Sequence, residues 1–147
     1  MEHMTEEMAR ARLFEDNFDC AQTVLCHFAE ELDLDEETAL KLASGFGGGM
    51  HKGDMCGTVT GGLMALGLKY GFCEPGDAVG KDIMNKKAME YERRVMEANE
   101  GCLRCREMLG VDPSTPEGKI QAGGIIPKKC PGLVVKACAI LEDMLAD

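Results

Sequence analysis

No stretch of this sequence approaches the eighteen consecutive apolar residues of a membrane span, and the opening Met1 to Arg10 carries charges where a signal peptide would need an apolar run. The expected location is therefore the cytoplasm, where thiols are kept reduced. Tryptophan is missing and aromatic residues make up only 5% of the chain, against eight cysteines. A chain of 147 residues can bury an ordinary core as one domain without disulfides or metal, so those cysteines point to redox or metal chemistry rather than to structural bridges.

Basic residues are also short. Lys and Arg number 16 against 26 Asp and Glu, a net charge of −10, and the clustered positive charge of a nucleic-acid binder is lacking. Met1 to Ser44 alone holds twelve acids and three bases, net −9. Such a face either serves solubility or docks a basic protein partner. Walker, Rossmann, HExxH and GxSxG patterns are absent, which removes support for nucleotide binding, zinc proteolysis and serine hydrolysis. No strand-like alternation of useful length occurs either, so the expected fold class is all-α, an irregular bundle of about five or six helices.

What is present is a glycine-dense stretch, Ser44 to Gly62, that runs into a helix with Cys56 at its start. Asp54 is the expected N-cap, which puts Cys56 in the first turn, where free N–H groups and the helix dipole favour a thiolate. The glycines up to Gly53, mixed with Phe46, Met50 and His51, read as a shaped wall beside that sulphur. In the helix itself, Gly57, Gly61 and Ala65 form a small-residue face that invites close approach by a neighbour.

After a polar lead-in over residues 1–16, Asn17 to Asp19 caps a helix with Ala21, Val24, Leu25, Phe28 and Leu32 on its buried face, and Cys20 at its start. Asp33 and Glu36 resemble a capping box for the next helix, which Gly45 ends. Beyond a turn at Gly71 to Gly76, Met84, Ala88, Tyr91, Val95 and Ala98 mark a narrow seam on a long polar helix, which together with the small-residue face suggests a homodimer. Cys102 to Leu109 reads as a short helix closed by Gly110. Val111 to Lys129, with three prolines, reads as one long connection covering a site, and Pro131 places Cys130 at the N-cap of a closing helix.

Four cysteines, Cys20, Cys56, Cys105 and Cys130, thus fall at or near helix starts. That position suits the ligands of an iron–sulphur cluster, zinc thiolates or reactive dithiols alike. Cys102 and Cys105 form a CxxC pair, but no second pair completes a zinc ribbon and no βαβ pattern supports a thioredoxin. Arg106 stands where covalent haem attachment needs histidine. Cys138 fits an apolar stripe, Cys26 and Cys73 are unassigned, and His27 and His51 are candidate ligands or acid–base groups by proximity to Cys20 and Cys56.

Five segments in order carry a resemblance: Phe18 to Leu25 (FDCAQTVL), Ala43 to Met50 (ASGFGGGM), Cys56 to Gly61 (CGTVTG), Cys105 to Gly110 (CREMLG) and Cys130 to Val134 (CPGLV). The chain resembles the redox-active protein family named for its C…GCAxxG…C…C pattern. The resemblance implies that Cys20, Cys56, Cys105 and Cys130 are the functional cysteines, with Cys102 an extra thiol, and that an iron–sulphur site is in keeping with such company. Met55, Gly57 and the Thr60-Gly61 pair depart from the named motif.

The combined expectation is a single helical redox domain over 1–147. Its four thiolates converge on one site, hold an iron–sulphur cluster or work as dithiols, and exchange electrons with a protein partner. A structural zinc or other metal-thiolate module is the alternative.

Overall fold

The computed structural model describes residues 2–146. Seven α-helices follow in order: α1 Glu6–Arg10, α2 Cys20–Ala29, α3 Glu36–Ala43, α4 Gly57–Tyr70, α5 Ala78–Ala98, α6 Cys105–Leu109 and α7 Pro116–Leu145. The all-α class holds, and the one β feature among the described residues is an isolated antiparallel bridge between Met55 and Arg104. A core of Val24, Leu25 and Phe28 from α2, Val59 and Leu66 from α4, Tyr91 and Val95 from α5, and Val134, Cys138 and Leu141 from α7 is almost fully buried.

The packing of α2 on α4 is set by glycine. A Cβ at Gly61 would stand 2.6 Å from the Ala21 carbonyl oxygen, and one at Gly57 would stand 2.7 Å from the Ala21 nitrogen. These two backbones therefore touch with no side chain between them. On the far side of α4 the ring of Tyr91 occupies the space beside Gly62, and its hydroxyl donates to the Thr58 carbonyl at 2.7 Å. Tyr91 is fully buried, so this hydrogen bond satisfies its only polar group.

Several expected boundaries move. The segment over 1–16 is more than a lead-in, because Met4, Ala9 and Leu13 are buried in the core. Asp33 adopts a left-handed conformation that closes the preceding turn, and Asp35 caps α3 by accepting from the Thr38 N–H. Along α5 only Tyr91 and Val95 of the seam are buried, and Ala98 is exposed. The first half of that helix reaches past the core and leaves Val79 and Ile83 in solvent.

The largest correction concerns the long connection. Only residues 111–115 are irregular, because Thr115 caps α7 and Pro116 opens it. The helix then runs for 30 residues through Pro127 and Pro131, so Cys130 lies in mid-helix rather than at a start. A proline inside a helix costs roughly 3 kcal/mol, partly because the carbonyl four residues back loses its donor. Pro131 has no N–H to give to the Pro127 carbonyl, and Arg10 of α1 donates to it at 2.7 Å. The carbonyl that Pro127 leaves without a helical donor belongs to Gly123, which is exposed to water. Burial of Leu133, Val134, Ala137, Cys138 and Leu141 beyond the prolines offsets the remainder.

Glycine substitutions in α4 should therefore have opposite signs. Gly61→Ala should lower stability by about 2 kcal/mol, since forced overpacking against Ala21 outweighs the helix-propensity gain. Gly67→Ala, where an added Cβ meets nothing within 4 Å, should raise it by about 0.5–1 kcal/mol. Urea unfolding of the two variants measures both, and equal effects would contradict the glycine contact.

Candidate functional site

The α2–α4 contact brings two helix starts side by side. Asp19 caps α2 through a reciprocal box, its carboxylate accepting from the Gln22 N–H at 2.9 Å while the Gln22 side chain accepts from the Asp19 N–H at 3.0 Å, and Cys20 follows as the first helical residue. On α4 the expected cap is displaced, because Cys56 is itself the N-cap and its sulphur lies 3.2 Å from the Thr58 hydroxyl. Asp54 instead pairs with Arg104 at 3.5 Å.

Backbone hydrogen bonds place the third cysteine. The Cys56 N–H donates to the Leu103 carbonyl at 2.8 Å, and the Cys105 N–H donates to the Asp54 carbonyl at 2.6 Å. The two strands of chain are thereby laced together, and Cys105 starts α6 next to Cys56. The fourth, Cys130, comes from the middle of α7. All four cysteines line one cavity of about 160 Å³, together with Leu13, Phe14, Phe18, Ile126 and Leu133. Apart from the sulphurs and Asp19, its walls are largely apolar.

Glycine supplies part of the remaining wall. Gly48 and Gly49 line the cavity, while at Gly47 an added Cβ would stand 2.6 Å from the Asp19 carboxylate. The chain turns here in the left-handed region, with φ of 60° at Gly48, 63° at Gly49, 60° at Met50 and 62° at His51. Left-handed backbone costs a residue with a Cβ roughly 1–2 kcal/mol, so Met50 and His51 hold strain at the end of the glycine wall.

The thiols differ in their hold on protons. The Cys20 S–H donates to Cys130, which raises Cys20 well above the ordinary thiol range, reinforced by burial. The same hydrogen bond lowers Cys130. Burial raises Cys56 against the opposing hydrogen bonds from Thr58, and burial, then the nearness of Cys56 and Cys130, pushes Cys105 up to about 12. The expectation that helix starts would depress these thiols is thus reversed at Cys20, Cys56 and Cys105. Removing a thiolate from water outweighs the helix dipole. The one depressed thiol of the four, Cys130, lies far from any helix start and owes its shift to a neighbour.

The other candidates lie elsewhere. Cys102 lines an adjacent hollow, and Cys26 lies by Arg12 and Glu36. Cys73 is exposed, and Cys138 is fully buried on the apolar face of α7. His27 packs edge-on to Phe28 with its buried Nε2 unpartnered, in a hollow formed with Met4 and Met8. His51 is exposed, and burial raises the Asp19 carboxyl against the opposing hydrogen bonds from the Gln22 and Ala21 N–H groups. Neither histidine lines the cysteine cavity. Asp19, Phe18 and Ile126 do, and only the proximity of the first two to Cys20 in sequence could have signalled it.

All eight cysteines are free thiols, and among the described residues no three His, Cys, Asp or Glu side chains gather in the arrangement of a single metal-ion site. No curated protein and no solved structure matches the chain. The model of one family does, over residues 18–144, a span that holds all four cavity cysteines. At the position of that family's GCAxxG alanine this chain has Gly57, where an alanine Cβ would press on the backbone of Ala21. Covered over most of its length by the family described as "Putative redox-active protein (C_GCAxxG_C_C)", the chain belongs to that family.

Proposed function

We propose that the four-cysteine cavity is the redox centre of a small electron-transfer protein of the cytoplasm and that it holds an iron–sulphur cluster. The observation that carries this reading is that four thiols from four separate segments line one cavity of about 160 Å³ at the edge of the core. The donor set fits, because thiolates are the ordinary ligands of such clusters. The four thiols share a cavity with more room than a single zinc ion needs, which suits a polynuclear group. When bound, the cluster would supply one-electron transfer.

The chain's own residues then have defined tasks. Cys20, Cys56, Cys105 and Cys130 would be the ligands, and the three raised thiols must release protons as they bind, so loading should improve as pH rises. Leu13, Phe14, Phe18 and Ile126 keep water from the sulphurs. Gly48 and Gly49 let backbone form a wall without a Cβ. Phe14, Phe18 and Asp19 belong to the acidic first quarter of the chain, so a basic protein partner docking on that face would lie against the cavity wall.

One observation favours a second reading. Cys20 and Cys130 are neighbouring thiols in the cavity, and their interaction raises Cys20 and lowers Cys130. Their oxidation would join the two sulphurs in a disulfide and give two electrons and two protons to an oxidising partner. In that case Cys130 is the attacking thiolate.

Anaerobic reconstitution with iron and sulphide should give a chromophore absorbing near about 400 nm. Serine at any of Cys20, Cys56, Cys105 or Cys130 should reduce the bound iron, whereas Cys26→Ser and Cys73→Ser should leave it unchanged. A colourless protein that instead forms a Cys20–Cys130 disulfide on mild oxidation would replace the cluster with the dithiol reading.

In the metal-free, reduced chain, alkylation at pH 8 followed by mass mapping should modify Cys130 before Cys105, although Cys105 is the more exposed. Cys105, held near 12, should become reactive only as pH rises well above 9. The reverse order would contradict the assigned hydrogen bond.

A further inference from the structure

Beside the cysteine cavity lies a second hollow, of about 330 Å³, between the end of α5, the start of α6 and the middle of α7. Its walls are polar, in contrast to those of its neighbour. Lys128, Lys129 and Lys136 line it, with Asn99, Glu100 and Glu107. The two hollows share Met108 and Leu133 as a common wall. The chain joins them as well, since Cys102 lines the polar hollow and Cys105, three residues on, lines the cysteine cavity.

Charge makes this hollow unusual for the molecule. In a chain with ten excess negative charges, Arg10, Arg12, Lys41, Lys86, Arg93, Arg94 and Arg104 each pair with a carboxylate, and the hollow instead gathers three lysines. Among the described residues Lys128, Lys129 and Lys136 pair with none. Lys136 is oriented by neutral acceptors, donating to the Ala98 carbonyl at 3.2 Å and to the Asn99 side chain at 3.5 Å. Of the two acids present, Glu107 is engaged, accepting from the Arg104 N–H at 3.1 Å and the Leu103 N–H at 3.4 Å. Three lysines therefore line one concavity against two carboxylates, of which Glu107 is already engaged, and the concavity is of small-molecule size.

We propose that this hollow binds a small polyanionic molecule bearing carboxylate or phosphate groups, seated one side-chain layer from the cysteine cavity. The lysines supply the charge-assisted hydrogen bonds, and Asn99 and the Gly132 turn of α7 complete the walls. Glu100 and Glu107 limit the net positive charge, so binding is selective for ligands that place their anionic groups toward Lys128, Lys129 and Lys136. The inference concerns binding alone and is independent of what occupies the cysteine cavity.

Amide NMR titration of the reduced, metal-free chain with pyrophosphate and with citrate tests it. Saturable shifts are expected at Asn99, Cys102 and Gly132 with at least one of the two probes. Replacing Lys128, Lys129 and Lys136 together by Gln should weaken that binding about tenfold or more, on the scale of one or two lost charge-assisted bonds. A control carrying Lys41→Gln, Lys81→Gln and Lys119→Gln makes the same change in net charge and should bind as the wild type does. All six lysines are exposed, so both variants should unfold with unchanged midpoints. Equal weakening in the two variants, shifts that map elsewhere, or no saturable shift with either probe would overturn the site.

Discussion

Everything at the cysteine cavity depends on the approach of α2 to α4 at Ala21, Gly57 and Gly61. Helices with side chains between them pack about 8–10 Å apart, and the absent Cβ atoms of these glycines permit a closer contact. Cys20 precedes Ala21 and Cys56 precedes Gly57, so the contact that joins the helices also sets the spacing of two sulphurs. A larger residue at Gly57 or Gly61 would separate the helices and open the cavity at once. The glycines cost helix propensity in α4, on the order of 1 kcal/mol each, and the close packing is what that cost secures.

Around this pair the remaining cysteines are held by two other devices. The backbone bonds joining Cys56 to Leu103 and Asp54 to Cys105 fix α6 against the start of α4. Arg10, by bonding the Pro127 carbonyl, supports a continuous α7 that carries Cys130 to the same place. The result is a group of thiols in a poorly hydrated, mostly apolar space. Such a space opposes ionisation of an isolated sulphur and favours a state in which charge is shared, either with a metal or through an S–H···S contact. The raised Cys20, Cys56 and Cys105 beside the lowered Cys130 express that balance.

Much of this was legible in the residues. The small-residue face at Gly57 and Gly61 announced a close helix contact, and the dispersed cysteines near capping residues announced a shared site. What misled was proline. Pro127 and Pro131 are breakers by local chemistry, and nothing near them in sequence reveals that Arg10, 117 positions away, would bond the freed carbonyl. The same blindness to tertiary contact applies to the thiols. A helix start suggests a stabilised thiolate, but burial, which no local pattern reports, decides the sign at Cys20, Cys56 and Cys105. The polar hollow escaped notice for a related reason, because only the fold brings Lys128, Lys129 and Lys136 to one concavity with the end of α5.

The central claim is that Cys20, Cys56, Cys105 and Cys130 act together as the ligands of one cluster. Anomalous scattering at the iron edge, from crystals grown anaerobically, addresses it most directly. The account predicts iron density inside the cavity, bonded to those four sulphurs and to no other cysteine. Iron held by Cys102 or Cys26, or a cavity free of iron with Cys20 and Cys130 joined as a disulfide, would contradict it.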